Sequence, residues 1–491
     1  MPLTLLVALF LAFGLDARPS TTAFLTWTEV SWRAVGVLST IALLAVLARS
    51  LGWWVGRGVE RRGYVPSSLR RVYIWGTRAV AAFGLGFYAC VLYFLSWSDV
   101  VRSVLGGRDW PIASDALLLL PFLLTEVAAW WGLYAAERAL RVARTGESVG
   151  LKRYLVLKGR QVAGLLLPVF LVYSLGQDLA NRYLPSATAA PWAQPAGLAL
   201  MAALVLVASP LFLRLAWPTR PLAPGPLRDR LESLARRVGF RCTDILVWDT
   251  GNVLVNAGVT GTLPWFRYVF LSDALVENLP QQEVAAVFGH EIGHIAHRHL
   301  QSFGLFFLGT IGVMAVINGA LDQYVLAGVT PVLVQRYANL GSVLETTAGL
   351  LVLGVYFFVA FGLVSRRFER QADLFGCRAV SCGRAECPPH RDVDGLSERS
   401  PAQAAAVCPA GIRTFVSALT NVAALNGMGR DKPSWRHGSI ARRVAFLESL
   451  EGRPDVERRF QRGVTALRGA IVLMLSLAWW WAWAENWIQK P

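Results

Sequence analysis

The sequence predicts a mainly α, polytopic helical membrane protein whose polar segments also hold a small β-sheet. Three observations lead to that class. Of the 491 residues 54% are hydrophobic and only 16% charged, whereas charged residues make up about a quarter of a soluble chain. The apolar residues gather into blocks of about 15 to 22 positions, the length a helix needs to cross a bilayer. Lys and Arg alternate between rich and poor loops, as retention of positive charge in the cytoplasm requires. Secreted, collagen-like and disordered classes are excluded by the same composition.

About nine blocks qualify as spans: 1–15, 34–55, 79–97, 116–135, 161–176, 196–213, 303–320, 346–364 and 469–484. The first is short and has no basic residue before Arg18. A signal peptide carries basic residues ahead of its apolar stretch, so an uncleaved first span is expected. Loop 56–78 carries Arg57, Arg61, Arg62, Arg70, Arg71 and Arg78, and loop 136–160 carries Arg138, Arg141, Arg144, Lys152, Arg153, Lys158 and Arg160. Loop 177–195 has only Arg182, and loop 321–345 only Arg336. Threading the alternation through every span places 214–302 and 365–468 together on the cytoplasmic side of a plasma (inner) membrane. The net charge of +16 reads as topology and attraction to anionic lipid. No nucleic-acid partner is expected, because no stacking or groove-reading motif accompanies the charge. Within the spans, Glu126 is costly unless paired or wet, and marks a polar chamber or an interhelical contact. Trp479, Trp480 and Trp481 are simplest as an interfacial anchor.

The polar segments have their own grammar. After a Pro-rich stretch at 218–226, Leu227, Leu231, Leu234 and Val238 fall at helical spacing with Arg and Glu between them, an amphipathic helix. Short β-type runs follow at 244–248, 253–260 and 267–271, separated by turn signals at 249–251 and 261–264. Ser272 or Asp273 can cap a short helix, and Pro280 opens a long one running to about His299.

The chemistry sits on that long helix. Residues 290–294 read His-Glu-Ile-Gly-His. A spacing of four puts His290 and His294 a turn apart on one face, where two imidazoles can share a tetrahedral zinc. Glu291, beside that face, can take a proton from the metal-bound water. Glu369 and Asp373 are again four apart on a helix. Glu369 can complete the shell and leave the fourth position for water, while Asp373 can accept from a liganding histidine's other nitrogen. The bland alternative makes Glu369 and Asp373 partners of Arg366, Arg367 and Arg370 on a solvated face. His297 is two turns from His290 and beyond ligand reach, and His299 points elsewhere; both read as helix-end or structural histidines.

With these motifs in view the chain resembles the membrane zinc metalloproteases of the HtpX and CAAX prenyl protease (Ste) type, gluzincins with HExxH followed by ExxxD. The resemblance covers about 227–450. It includes the run from Val255 to Gly261, similar to the family's strand at the lip of the cleft, and Ala285, Val287, Phe288 and Gly289 leading into His290. It also includes a membrane hairpin between the two motifs. What it implies is a cytoplasmic gluzincin-type zinc protease domain, with His290, His294 and Glu369 on zinc, Glu291 as the catalytic carboxylate, and Asn256, Ala257 and Gly258 along the substrate. A segment from Ser434 to Arg443 is similar to the family's late His-Pro and Arg element, which implies His437 as oxyanion donor and Arg442 as a substrate or structural arginine. Gly438 stands where proline is common.

Six cysteines are few for this length. Cys90 and Cys242 read as small buried residues. Cys377, Cys382, Cys387 and Cys408 cluster near His390. In a reducing cytoplasm they are candidates for a second, structural zinc site, although no paired CxxC is present; were the topology inverted, two disulfides would be the better reading.

The expected organisation is therefore an N-terminal membrane domain of about six helices at 1–217, a catalytic segment at 218–302, a membrane hairpin at 303–364, a second catalytic segment at 365–463 with the cysteine-bearing insertion 377–408, and a C-terminal membrane helix at 464–491. The expected activity is zinc-dependent hydrolysis of polypeptides, membrane-associated ones foremost, in membrane-protein quality control or processing. A prenyl-protein protease of the same class and a zinc-bearing sensor that signals by autocleavage are the alternatives.

Overall fold

The computed structural model describes residues 2–13, 24–107, 110–184, 193–252, 254–320, 354–382 and 407–485, together with Gln323 and Val352. Among the described residues five helices are long and apolar enough to cross a membrane: Trp27–Glu60, Ser67–Tyr93, Ile112–Ala143, Leu151–Ala180 and Pro454–Trp481. Two shorter apolar helices are Ala203–Ala216 and His299–Met314. The chain is a multi-pass, mainly helical membrane protein.

Most of the expected spans fall on these helices. The block at 1–15 corresponds to α1 (Pro2–Phe13), only 12 residues long. The block at 79–97 overran its helix: α3 (Ser67–Tyr93) stops at Tyr93, Ser96 takes a left-handed conformation at φ 44°, and a separate short helix α4 (Trp97–Val104) begins. Of the block at 346–364, residues 346–351 and 353 lie outside the described residues. Its remainder contains a wide π turn, Phe357–Phe361, that runs straight into the helix Gly362–Ala379.

Two compact units make up the chain. The first comprises Met1–Thr188, Leu211–Pro218 and Thr250–Val253. Its tightest pairing is between α2 (Trp27–Glu60) and α5 (Pro111–Thr145). A Cβ on Gly52 would lie 2.2 Å from the carbonyl oxygen of Gly132, and one on Gly132 would lie 2.7 Å from the Cβ of Ala48. Ala48, Gly52 and Gly56 recur every four residues on α2 and meet Gly132 and Ala136 on α5. Helices in lipid gain little from apolar burial, so small residues that let backbones touch hold them together. Helix α6 (Leu151–Tyr183) is the fourth long helix among the described residues of this unit, and Tyr73 donates to the Glu137 carboxylate at 2.6 Å.

The second unit comprises Ala189–Pro210, Thr219–Asp249 and Leu254–Pro491; helix α7 (Ala193–Ala216) starts within it. A four-stranded sheet in the order β1-β2-β4-β3 forms its wall. Strands β2 (Asp244–Trp248) and β4 (Tyr268–Ser272) pair in parallel and are buried along most of their length. That suits their unbroken apolar sequences. Strand β3 (Ala257–Thr260) is the edge, antiparallel to β4. Both β3 and β4 are offset from the expected 253–260 and 267–271. The three-residue β1 (Thr219–Pro221) went unforeseen, being too short for periodicity and ending in a proline tolerable only at an edge. The amphipathic helix α8 (Pro226–Arg237) turns Leu231 and Leu234 into the core as expected. Ser272 caps α9 (Asp273–Asn278), its hydroxyl accepting from the Leu275 N–H.

Candidate metal centre

Helix α10 (Gln281–Ala296) carries the HExxH motif. At its start Glu283 is buried and accepts from Ser417 Oγ at 2.7 Å and from the Asn421 side chain, which fixes the helix against α13 (Pro409–Leu425). Further along, α10 lies directly on α12 (Gly362–Ala379). Gly289 and Gly293 make the contact: a Cβ on Gly289 would come within 2.6 Å of the Ala379 Cβ, and one on Gly293 within 2.9 Å of the Phe375 Cβ. These two glycines sit immediately before His290 and His294, so the close approach brings the histidines to the ExxxD face of α12.

There His290 Nε2 and His294 Nε2 are 3.2 Å apart. Glu369 Oε2 is 3.8 Å from His290 Nε2, and its Oε1 is 3.9 Å from His294 Nε2. Ligand atoms of all three residues lie within 4.8 Å of one another. On its other side His290 Nδ1 lies 3.0 Å from Asp373 Oδ1. A carboxylate only accepts, so the hydrogen of His290 is on Nδ1 and its Nε2 is a lone pair. That lone pair and the Glu369 carboxylate converge with His294 Nε2, a donor set of two imidazoles and one carboxylate that fits a tetrahedral divalent cation with one position left over. Among the described residues no other group of His, Cys, Asp or Glu forms such a cluster.

Electrostatics favours the ligating state of His294 and Glu369, whereas at His290 the Asp373 and Glu369 carboxylates outweigh burial and raise the imidazole above its usual range. Burial, reinforced by the neighbouring His290, lowers His294 to about 3 and keeps its ring neutral. Burial opposes the charge of Glu369, but the hydrogen bond from His437 and the Arg443 guanidinium outweigh it and hold the carboxyl well below the usual range. Asp373, fully buried, is likewise kept ionised against burial by Arg443. Burial raises Glu291, the direction a proton-accepting carboxylate needs near neutral pH, while a backbone N–H of Val259 donates to it.

The structure brings together His290, Glu291, His294, Glu369 and Asp373, and adds three residues in ways the sequence reading did not give. His437 Nδ1 lies 2.9 Å from Glu369 Oε1, so it touches a candidate ligand directly. Gly438 has φ 74°, which proline cannot adopt, and this explains its departure from the family pattern. The arginine at the centre is Arg443, not Arg442. Ser439 caps α14 (Ile440–Glu448) by accepting from the Arg442 N–H, which leaves Arg442 exposed and swings Arg443 inward. Arg443 Nε donates to Asp373 Oδ2 at 2.8 Å and its Nη2 to Oδ1 of the same carboxylate. His299 also corrects the expectation. Helix α10 ends at Ala296 rather than near His299, Arg298 turns the chain at φ 53°, and α11 (His299–Ala320) starts with His299 facing back, its Nδ1 2.9 Å from His294 Nδ1.

Asn256, Ala257 and Gly258 lie where β3 begins. The Asn256 carbonyl accepts from the Ser272 N–H on β4. By the alternation of an antiparallel pair, Gly258 also faces β4, while the peptide groups of Ala257 and Val259 face the open edge.

Among the described residues the cysteines assemble no second metal site. Cys377 is fully buried in the apolar core, and Cys408 caps α13, its sulfur accepting from the Gly411 N–H at 3.3 Å. Cys382 is half-buried, and Cys387 and His390 lie outside the described residues. Burial of small apolar thiols, rather than metal binding, accounts for Cys377 and Cys408.

Residues 221–389 match the family described as Peptidase family M48. The match takes in both metal motifs and stops short of His437 and Arg443. The chain is 30% identical over 178 residues to the probable CAAX prenyl protease 1 of Schizosaccharomyces pombe, covering 34% of this chain and 36% of that one. It is 27% identical over 191 residues to a protease HtpX homolog of Aeropyrum pernix, covering 38% and 58%. The crystal structure of S. mikatae Ste24p superposes with a TM-score of 0.47 and 16% identity, covering 85% of this chain and 99% of that one. The matched stretches thus span about a third to somewhat over half the length of these curated relatives.

Proposed function

We propose that this chain is a membrane-embedded zinc endopeptidase that hydrolyses polypeptides, membrane-associated ones foremost. The observation that carries the reading is the convergence of His290 Nε2, His294 Nε2 and the Glu369 carboxylate, with Glu291 beside them, inside the segment that matches peptidase family M48. A zinc ion held by these groups supplies Lewis acidity, lowering the pKa of water and polarising the scissile carbonyl. Glu291 takes the proton of the attacking water and passes it to the leaving amine. His437 steadies the developing oxyanion. An extended peptide runs beside Asn256, Ala257 and Gly258 along the open edge of β3 and pairs there with the peptide groups of Ala257, which holds its carbonyl across the centre. In this reading the exposed Arg442 is a substrate-contacting arginine. In this reading 1–217 is a membrane domain, 218–302 and 365–463 bracket the hairpin 303–364, and both catalytic segments face the cytoplasm.

The test is cleavage of casein by the detergent-purified chain with zinc, beside Glu291→Gln. Hydrolysis by the wild-type chain and at least a thousandfold loss in Glu291→Gln, on the order expected for removing a general base together with its electrostatic role, supports the reading. Equal hydrolysis by both overturns it. A prenylated peptide offered in parallel separates broad proteolysis from the narrower activity named for the Schizosaccharomyces pombe relative.

A further inference from the structure

His294 has two ring nitrogens, and only Nε2 faces the metal position. Behind it, His294 Nδ1 and His299 Nδ1 lie 2.9 Å apart. Two imidazole nitrogens at that distance share one hydrogen, so one donates and the other accepts. The groups beyond decide which. His299 Nε2 is 3.0 Å from Gln371 Oε1, and Arg468 Nη2 donates to the same Oε1 at 3.2 Å. A guanidinium has only donors, so the Gln371 atom it meets is the amide oxygen. The Gln371 amide nitrogen accordingly points the other way and donates to Gln461 Oε1 at 2.5 Å. With an oxygen to accept it, the hydrogen of His299 is on Nε2. His299 Nδ1 is then a lone pair, His294 Nδ1 is the donor, and His294 Nε2 is left bare toward the metal.

The relay is built in rather than incidental. His299 is 1% exposed, so water cannot replace either neighbour. Its ring stacks on Phe368 with centroids 4.3 Å apart and planes within 5°. The Arg468 guanidinium sits 4.8 Å from the centroid of the same Phe368 ring and donates to the His297 carbonyl at 2.8 Å. Arg468 belongs to α15 (Pro454–Ala484), the helix that carries the C-terminal candidate span.

We propose that Arg468, Gln371 and His299 are positioning residues which fix His294 in the tautomer that binds zinc, so that the C-terminal membrane helix sets the affinity of the metal centre. The proposal rests on the zinc endopeptidase reading. A metal-ligating histidine whose outer partner is removed loses about 10- to 100-fold in metal affinity.

The experiment is zinc affinity by chelator competition on the detergent-purified full chain, with cobalt substitution to read ligand geometry. His299→Phe, which keeps the stack on Phe368 but removes the acceptor, is expected to weaken zinc about 10- to 100-fold. His299→Asn, whose amide oxygen can accept from His294 Nδ1, recovers most of that affinity and the native cobalt spectrum. Arg468→Met, which frees Gln371 to rotate, weakens zinc by several fold. A role in packing alone gives the opposite order, with Phe tolerated and Asn not, and that order overturns the proposal. So does unchanged affinity in Arg468→Met, which decides the matter where His299→Phe fails to fold. No zinc bound by the wild-type chain overturns the endopeptidase reading itself.

Discussion

Burial, with Arg468 and Arg378 nearby, lowers His297 to about 4, against about 6.5 for a free imidazole. The folded state therefore disfavours the proton that the unfolded chain accepts. The stability His297 contributes is complete above pH 6.5, falls as the pH drops toward 4, and is gone below it; the shift is worth at most about 3 kcal/mol. Urea denaturation at pH 7.5 and 5 should show His297→Gln losing less stability on acidification than the wild-type chain, and parallel losses would remove His297 from the acid response. At this scale much of the centre was legible. The i, i+4 spacing of His290 with His294 and of Glu369 with Asp373 forces each pair onto one helix face, and the outer contact of Asp373 with His290 followed from it. Arg443 and His299 were not legible. A cap at Ser439 decides which of two adjacent arginines turns inward, and a single left-handed residue, Arg298, decides where His299 points; neither has a periodic signature.

Helix contacts in this chain are set by small residues as much as by large ones. The Gly52 and Gly132 pair leaves no room for a side chain, since even a Cβ on Gly132 would lie 2.7 Å from the backbone nitrogen of Arg49. Gly132→Val should destabilise the first unit by about 1–3 kcal/mol, the usual cost of forcing extra atoms into a packed contact. Gly86→Ala, where an added Cβ meets nothing within 4 Å, should be close to neutral. Thermal denaturation in detergent checks both, and equal midpoints for the two variants would contradict the close packing of α2 on α5. The helices themselves were legible from apolar block length, because a bilayer imposes that length on any span. Their ends were less so: the break after Tyr93 and the end of α10 at Ala296 depend on local turns inside apolar or helical sequence. The sheet was readable through its apolar runs at β2 and β4, while β1 has too few residues to carry a pattern.

For the molecule as a whole, the alternation of basic loops carries the proposed orientation, with both catalytic segments in the cytoplasm. Glu451 lies in an exposed turn of the second unit, so Glu451→Cys reports on the side that unit faces. A thiol reagent unable to cross membranes should label Glu451→Cys no more than the wild-type chain in intact cells, and more than the wild-type chain once the cells are permeabilised. Excess labelling of intact cells would invert the topology. The central claim is that two distant stretches of sequence, 290–294 and 369–373, build one metal centre. The measurement that tests it most directly is zinc per chain in purified wild-type protein, Glu291→Gln and Glu369→Ala. One zinc in the first two and a loss of about tenfold or more in affinity for Glu369→Ala is the result expected of a His290, His294 and Glu369 site. Full zinc occupancy and unchanged affinity in Glu369→Ala would contradict it.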